Sequence, residues 1–457
     1  MLKHTSVKTA QNPVSRMLEA YASSQPSRFH MPGHKGFLNP WDITELSCTD
    51  NLLTPSGALV EAQEELAEAY GANTALFCTG GSTLGVIAML LTLPQGSVVA
   101  IGRNAHRSAV SALFLGGHRP IWLLPDYSKG KNGQISAATV EAAFKDEPTI
   151  KAVLITSPDY LGRCADLCAI SCACRAHGAL LLVDGAHGAH FALSAALPES
   201  PGALADMWVT SAHKTLPCPN QGAYLFGNNA EEAGRLKDAL FTVHTTSPSF
   251  VLLAALDSAW RTAKEWDYAA HVARLDSVRK HISAIAGLDP YPKDCLGVCD
   301  TDATRLVISV CGRGITGYEA DVHLQKHGVF VEMADAANLV AITSPIDPDG
   351  WYDNLVSALT SLPQRTPKDC REPRLDHLPK AVMLPREAAF SQTEAVPLAE
   401  AAGRICAQSF GVYPPGCAAA APGEIIDEAC LDFVIDAQSG GGALFGVTSG
   451  CVRVIID

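Results

Sequence analysis

The residues with the most chemical potential lie where apolar runs stop. In "CTGGSTLGV", positions 78–86, Gly80, Gly81, Ser82 and Thr83 separate a β-type run from a helical stretch. Glycines let backbone N–H groups approach an anion, the hydroxyls add donors, and the start of a helix favours negative charge. The segment is therefore a candidate phosphate cradle. It is not a Walker loop, because no Gly-Lys-Ser/Thr follows. Nor is it a hydrolase elbow, because Leu84 stands two residues after Ser82 where a glycine is needed. A plain glycine turn with a hydroxyl cap accounts for the same residues without a ligand.

Two further strand ends supply charge. In "SAHKTLP", positions 211–217, Lys214 follows an apolar run and sits beside Ser211 and His213. Alone it reads as a surface lysine; joined to a phosphate cradle it reads as the nucleophile that holds an aldehyde cofactor. Ser211 would add a phosphate donor. A cofactor with a pyridine ring also needs a carboxylate against its ring nitrogen. Asp184, ending "LLLVD" thirty residues before the lysine, can supply it. Ala186 is small enough to pack on one ring face, and His106, in "NAHRS", can stack on the other. His187 and His190 with Asp184 raise a metal site as an alternative. No HExxH helix is present, however, and a spacing of three at a strand end converges ligands poorly.

These side chains need a scaffold of parallel strand ends. From about 70 to 230 the sequence repeats one theme: apolar run, small-residue turn, helical stretch. Such alternation predicts an α/β fold with a mostly parallel sheet covered by helices on both faces. Ligands in such sheets bind beyond the carboxyl ends of the strands, where these polar residues fall. The expected organisation is an N-terminal arm over 1–60 and a cofactor-binding large domain over 61–285. A smaller α/β domain follows over 286–362, then a polar, proline-bearing linker over 363–380. A terminal α+β domain occupies 381–457.

The bulk properties exclude several classes. A formal net charge of −13 argues against a nucleic-acid partner. No uncharged apolar run reaches the roughly 18 residues of a membrane span, and the first twenty residues do not read as a secretion signal. The expected location is the cytoplasm. Fifteen cysteines without an export signal read as reduced thiols rather than a disulfide frame. The densest run, "CADLCAISCAC", holds Cys164, Cys168, Cys172 and Cys174, with the first three expected on one helix face. No CxxC pair or interleaved histidine makes it a metal site, and none is expected elsewhere.

The chain order of cradle, His106, Asp184 and Lys214 is that of fold-type I (aspartate aminotransferase-like) pyridoxal-phosphate enzymes. Six segments resemble the ornithine/lysine/arginine decarboxylase family: "RFHMPGHKG" (28–36), "DITEL" (42–46), "DNLLTPSG" (50–57), "VDGAHGAHF" (183–191), "SAHKTLP" and "HTTSPSF" (244–250). So do "LPREAAF" (384–390) and "YPPGCAAAAPGE" (413–424) near the C-terminus. The resemblance spans essentially the whole chain, in a short form without an N-terminal wing domain.

What the resemblance implies is a pyridoxal-phosphate decarboxylase that turns arginine, lysine or ornithine into the corresponding amine for polyamine biosynthesis. Lys214 would hold the cofactor, Asp184 would pair with its ring nitrogen, and His106 would stack on the ring. Gly81, Ser82, Thr83 and Ser211 would hold the phosphate, with Ala186 and His187 lining the same site. His213 or Lys214 would return a proton to the α carbon. Such enzymes are homodimers or higher oligomers with active sites at the interface, and Ser247 would reach the partner's phosphate. Glu424 would receive the substrate's distal cation, and His34, in a segment covering the site's mouth, would face the substrate. Departures from the family pattern are Gly185 for the usual Glu, Gly80 for the usual Asn, and Leu84 and Val86 for small or polar residues. Another fold-type I reaction, or a non-catalytic paralogue, are the competing readings.

Overall fold

The computed structural model describes residues 12–456 except 129, 291–294, 368–370, 373, 376, 414 and 415. The chain opens with α1 (Pro13–Ser23), α2 (Ala58–Tyr70), β1 (Thr74–Cys78) and α3 (Gly81–Leu91). Then come β2 (Val98–Gly102), α4 (Arg107–Gly116), β3 (Arg119–Leu123), α5 (Ala137–Asp146), β4 (Ile150–Thr156) and α6 (Leu167–Ala176). The run continues with β5 (Leu180–Asp184), β6 (Met207–Thr210), the short α7 (Ala212–Thr215), β7 (Ala223–Gly227), α8 (Ala230–Val243) and α9 (Phe250–Lys264). By contacts the chain divides into two compact units, Met1–Thr92 with Leu181–Trp266 and Leu93–Leu180 with Asp267–Asp457.

In the first unit the strands lie in the order β1, β7, β6, β5. β5 and β6 are parallel, pairing Leu182 with Met207 and Asp184 with Val209. β7 runs antiparallel to both β6 and β1. The expectation was a mostly parallel sheet, and β7 is the antiparallel exception. The twelve residues 211–222 between β6 and β7 hold only the four-residue α7, one helical turn where a parallel return usually carries a full helix. The strands are buried almost throughout, and Trp208 stacks on Phe226 at 4.8 Å.

Buried carboxylates tie the N-terminal segment to this unit. Asp50 accepts from the backbone N–H of Ser56, Gly57 and Leu59, shaping the entry to α2. Asp257, on α9, accepts from the N–H of Val14 at 3.0 Å, meeting one of the unpaired donors that begin α1. α3 seats closely on the sheet because Gly85 leaves room. A Cβ there would lie 2.5 Å from Cγ2 of Val209 on β6.

In the second unit β4, β2 and β3 are parallel neighbours, joined by right-sized α/β connections. Its later part holds α10 (Tyr268–Ser283), β8 (Arg305–Ser309), α11 (Gly317–Lys326), β9 (Met333–Ala334), β10 (Asn338–Ile342) and α12 (Asp349–Thr360). Leu275, Val278 and Ile282 of α10 share a core with Leu306, Leu324 and Leu355. α10 therefore belongs with the smaller α/β body, ahead of the boundary expected at 285, because that is where its apolar face is buried.

The terminal body comprises α13 (Pro385–Phe390), β11 (Thr393–Pro397), β12 (Phe410–Tyr413), β13 (Cys417–Ala420), α14 (Glu428–Ser439), β14 (Ala443–Phe445) and β15 (Cys451–Ile455). β11 pairs with β15, and β12 lies between β13 and β14. The core gathers Phe410, Val412, Ile426, Val434, Val452 and Val454.

The polar stretch expected as a linker carries a buried anchor. Glu372 forks onto Arg163 at 2.5 and 2.9 Å and also accepts from the N–H of Asn132. Burial, together with the nearby Glu372 charge, pushes the Asp335 carboxyl up to about 6. The cysteine run is split by the fold. Cys164 precedes α6 and is buried, Cys168 and Cys172 are exposed on it, and Cys174 is buried.

Two expectations follow. Gly85→Ala forces α3 off β6 and costs about 1–3 kcal/mol, the usual range for overpacking, read as a lower midpoint of thermal unfolding. Asp335 has a folded pKa above its ordinary value of 3.8, so the folded state binds the extra proton between 3.8 and about 6. Its contribution is present at low pH and is lost as pH rises through about 6. The stability gap between the wild type and Asp335→Asn should therefore narrow from pH ~5 to ~8 in urea titrations, by this linkage.

Candidate active site

Nine of the residues singled out by sequence lie in the first unit, around the ends of β5 and β6 and the start of α3. Gly81 adopts φ +74°, a left-handed conformation that glycine takes without a Cβ clash. Its N–H donates to the Gln221 carbonyl at 2.7 Å, which pins the turn before α3. One residue later, Ser82 lies 2.9 Å from Ser211, hydroxyl to hydroxyl. The first turn of α3 and the end of β6 thus present two hydroxyls side by side at a helix start, where N–H groups lack intrahelical partners. Thr83 is exposed on that same first turn.

Asp184 ends β5 with its carboxylate buried, and Oδ1 accepts from the Ala186 N–H at 3.2 Å. The turn after it is held to β6, since the Ser211 N–H donates to the Ala186 carbonyl at 3.3 Å. That turn carries His187, which is buried with Nε2 2.9 Å from the Lys214 Nζ. A lysine amine against an imidazole has a proton acceptor at hand. His213 turns the other way, with Nδ1 2.9 Å from the Gly222 carbonyl. A carbonyl only accepts, so Nδ1 carries the hydrogen and Nε2 is left for other work.

His187 faces Lys214, whereas His190 packs its ring against Phe191. Among the described residues no group of three or more His, Cys, Asp or Glu side chains converges.

The remaining candidates stand elsewhere. His106 caps α4 in the second unit, Nδ1 accepting from the Ser108 N–H at 3.2 Å, and is exposed. Ser247 is exposed, and among the described residues no hydrogen bond joins it to the Ser82–Ser211 pair. Two further candidates are engaged within the chain. Both ring nitrogens of His34 are engaged within its own segment: Nδ1 accepts from the Gly36 N–H, and Nε2 meets Asp42 at 2.9 Å. Neither nitrogen is left for a substrate. Glu424 is buried and forks onto Arg103 at 2.7 and 2.8 Å, with a further bond from the Ala421 N–H. Its charge already has a counter-ion, so it does not present a free carboxylate to a distal cation.

Sequence reasoning missed His244. This buried ring accepts from the Thr79 N–H at 3.1 Å through Nε2, while Nδ1 lies 2.9 Å from the Thr245 carbonyl. One contact requires an acceptor and the other a donor, which fixes a neutral ring with its hydrogen on Nδ1. Burial pushes its pKa down in agreement. His244 thereby holds the backbone directly before Gly80 and Gly81. Cys78, one residue earlier, is also buried, and burial raises its thiol to about 12. The only signal for His244 was its place at the head of "HTTSPSF".

Comparison with known proteins follows the same lines. A family model described as Orn/Lys/Arg decarboxylase, major domain, matches residues 12–291, and the family's C-terminal domain matches 369–447. An arginine decarboxylase of Halalkalibacterium halodurans is 34% identical over 97% of each chain. Another from Bacillus subtilis is 31% identical, again over 97% of each. The fold matches the constitutive lysine decarboxylase of E. coli with a TM-score of 0.82 and 19% identity, over 98% of this chain and 82% of that one. A serine palmitoyltransferase of Sphingomonas wittichii shares the fold over 66% of this chain and 74% of its own, at 17% identity and a TM-score of 0.51. Both family models match and the arginine decarboxylases align along nearly their full length, so this chain belongs to the Orn/Lys/Arg decarboxylase family and is a decarboxylase of basic amino acids.

Proposed function

We propose that the chain removes the α-carboxylate of L-arginine to give agmatine and carbon dioxide, using pyridoxal 5′-phosphate. Lysine and ornithine are the competing substrates. The observation that carries the reading is the Lys214–His187 contact beside the Ser82–Ser211 hydroxyl pair. Arginine is favoured because the two relatives matched along 97% of their length are arginine decarboxylases.

The donor set fits the cofactor. It combines two hydroxyls and a glycine turn at a helix start for a phosphate, an amine for an aldehyde, and a buried carboxylate for a pyridine nitrogen. When bound, pyridoxal phosphate supplies the electron sink for the pair left as the Cα–carboxylate bond breaks. The chain's residues do the rest. Lys214 Nζ holds the aldehyde, and His187 Nε2 can relieve it of the proton that would block its lone pair. Asp184 would pair with the ring nitrogen and hold its proton in place, a preorganised negative charge. Ser82, Ser211 and the first N–H groups of α3 hold the phosphate, with Thr83 at their edge and Ala186 on the turn below. His106 is assigned to the ring face. Return of a proton to the α carbon falls to Lys214 Nζ or to His213 Nε2, the nitrogen not engaged by Gly222.

The same reading has the enzyme working as a homodimer in the cytoplasm, its amine product feeding polyamine synthesis. Ser247, exposed in its own chain, would reach the partner's phosphate. Among the described residues no helix is long and apolar enough to cross a membrane.

Purified, cofactor-loaded protein offered arginine, lysine and ornithine separately should release agmatine fastest, and Lys214→Ala should release no amine. Equal or greater cadaverine or putrescine formation would overturn the arginine assignment. A second test concerns His244, whose folded pKa lies below its ordinary 6.5. The unfolded chain then takes up the proton first, so the ring's contribution is present above 6.5 and is lost as pH falls through the folded value. Wild type should lose more stability than His244→Gln between pH ~7 and ~5, read as the shift of the urea midpoint, since only the imidazole carries this linkage.

A further inference from the structure

β1 ends at Cys78, where its pairing with β7 stops. The chain then turns through Thr79 and Gly80 into α3, which starts at Gly81. A buried backbone N–H that has left a sheet ladder still needs a partner, and this turn finds its partners by different means. The Gly81 N–H goes to the Gln221 carbonyl at 2.7 Å, and the Cys78 thiol reaches forward to the Gly81 carbonyl at 3.2 Å. The Thr79 N–H is met by a side chain 165 residues away, Nε2 of His244 at 3.1 Å. The Thr79 hydroxyl approaches the same nitrogen at 3.3 Å. Both residues are buried.

His244 suits this task by its place and by its tautomer. It follows α8 directly, and α8 packs on α3, the helix whose start the ring steadies. Its Nδ1 faces the Thr245 carbonyl at 2.9 Å. A carbonyl only accepts, so the hydrogen sits on Nδ1 and Nε2 is a fixed acceptor. A side chain that merely filled space would need no such polarity, and an apolar one would leave the Thr79 N–H unmet. Leaving a buried donor unmet costs more than forming its bond gains. Ser82 comes three residues after Thr79, and its hydroxyl stands 2.9 Å from that of Ser211. With Gly80 and Gly81 between them, the turn has little stiffness of its own. Its path is set by what holds its two ends, Gln221 at Gly81 and His244 at Thr79.

We propose that His244 is a positioning residue for the cofactor's phosphate: by holding Thr79 it places the start of α3, and with it Ser82 and the first helical N–H groups, for that anion. This deepens the reading above and rests on its placing of the phosphate at the start of α3.

The test compares pyridoxal 5′-phosphate with pyridoxal, which has the same ring and aldehyde and no phosphate. Each is titrated into the apo protein and followed by the change in its visible absorbance. His244→Gln and His244→Asn are the variants, since the longer amide reaches the place of Nε2 and the shorter only that of Nδ1. His244→Asn should weaken pyridoxal phosphate binding about tenfold and pyridoxal binding by under about twofold, the scale of one unmet buried donor felt only at the phosphate. His244→Gln, whose amide oxygen can accept from the Thr79 N–H, should stay within about threefold of wild type for both ligands. In the loaded enzymes the KM for arginine should stay within about twofold, as expected when substrate contacts are intact. Equal weakening of both ligands in His244→Asn would overturn the positioning role in favour of a general loosening. Unchanged binding of both, or a His244→Gln protein as impaired as His244→Asn, would overturn it too. A wild type that holds pyridoxal as tightly as pyridoxal phosphate would overturn the phosphate placement itself, and this inference with it. A measurement on the wild type carries the test even where a variant fails to fold. Coupling between sites is reciprocal, so inorganic phosphate should slow hydrogen exchange at the Thr79 amide of the apo protein. Exchange there that is indifferent to phosphate would overturn the role of His244.

Discussion

The site depends on the parallel pairing of two neighbouring strands. β5 and β6 run side by side in a register that sets Asp184 against Val209, and adjacent strands lie about 4.8 Å apart. That spacing brings the turn after Asp184 and the turn after Thr210 within hydrogen-bond range, so His187 meets Lys214 and the Ala186 carbonyl meets the Ser211 N–H. A slip of one residue would turn every side chain of one strand to the opposite face. The buried aromatic layer of Trp208 and Phe226 makes that slip costly, which is how the hydrophobic core specifies chemistry it does not touch.

Local features of this site were legible in the sequence. Apolar runs ending in glycine, aspartate or lysine mark strand ends, and in α/β sheets such ends face ligands. Gly81, Ser82, Asp184, Ser211 and Lys214 therefore followed from their immediate neighbours. Pairings between distant residues did not. His244 and Thr79 are 165 residues apart, and Arg103 and Glu424 are 321 apart. Neither pair leaves a periodic trace, so Glu424 read as a lone carboxylate until the fold supplied its guanidinium. His187 was ambiguous for the opposite reason: its local spacing suits several chemistries, and only the neighbouring strand shows which partner it has.

The architecture was legible in the same graded way. Alternating strands and helices announced the α/β class, and the terminal body was separable by its pattern. The antiparallel β7 was hidden because its run of apolar residues looks like any buried strand; connection length, not composition, decides its direction. The polar stretch before the terminal body looked like a spacer. A single buried Glu372, forked onto Arg163, makes part of it an attachment point instead. Polar composition describes most of its side chains, and the one that matters is the exception.

The distribution of thiols sets how the protein meets electrophiles. A thiol reacts as its thiolate, and burial raises Cys78, Cys218 and Cys430 to about 12 and lifts Cys164 and Cys406 as well. Exposed Cys168 and Cys172 lie four residues apart on α6. A bulky maleimide or an alkylating dye will find those two long before it finds Cys78 beneath the glycine turn. They offer attachment points for a reporter that leave the cradle intact, and loss of the protection of Cys78 would signal that the fold around it has opened.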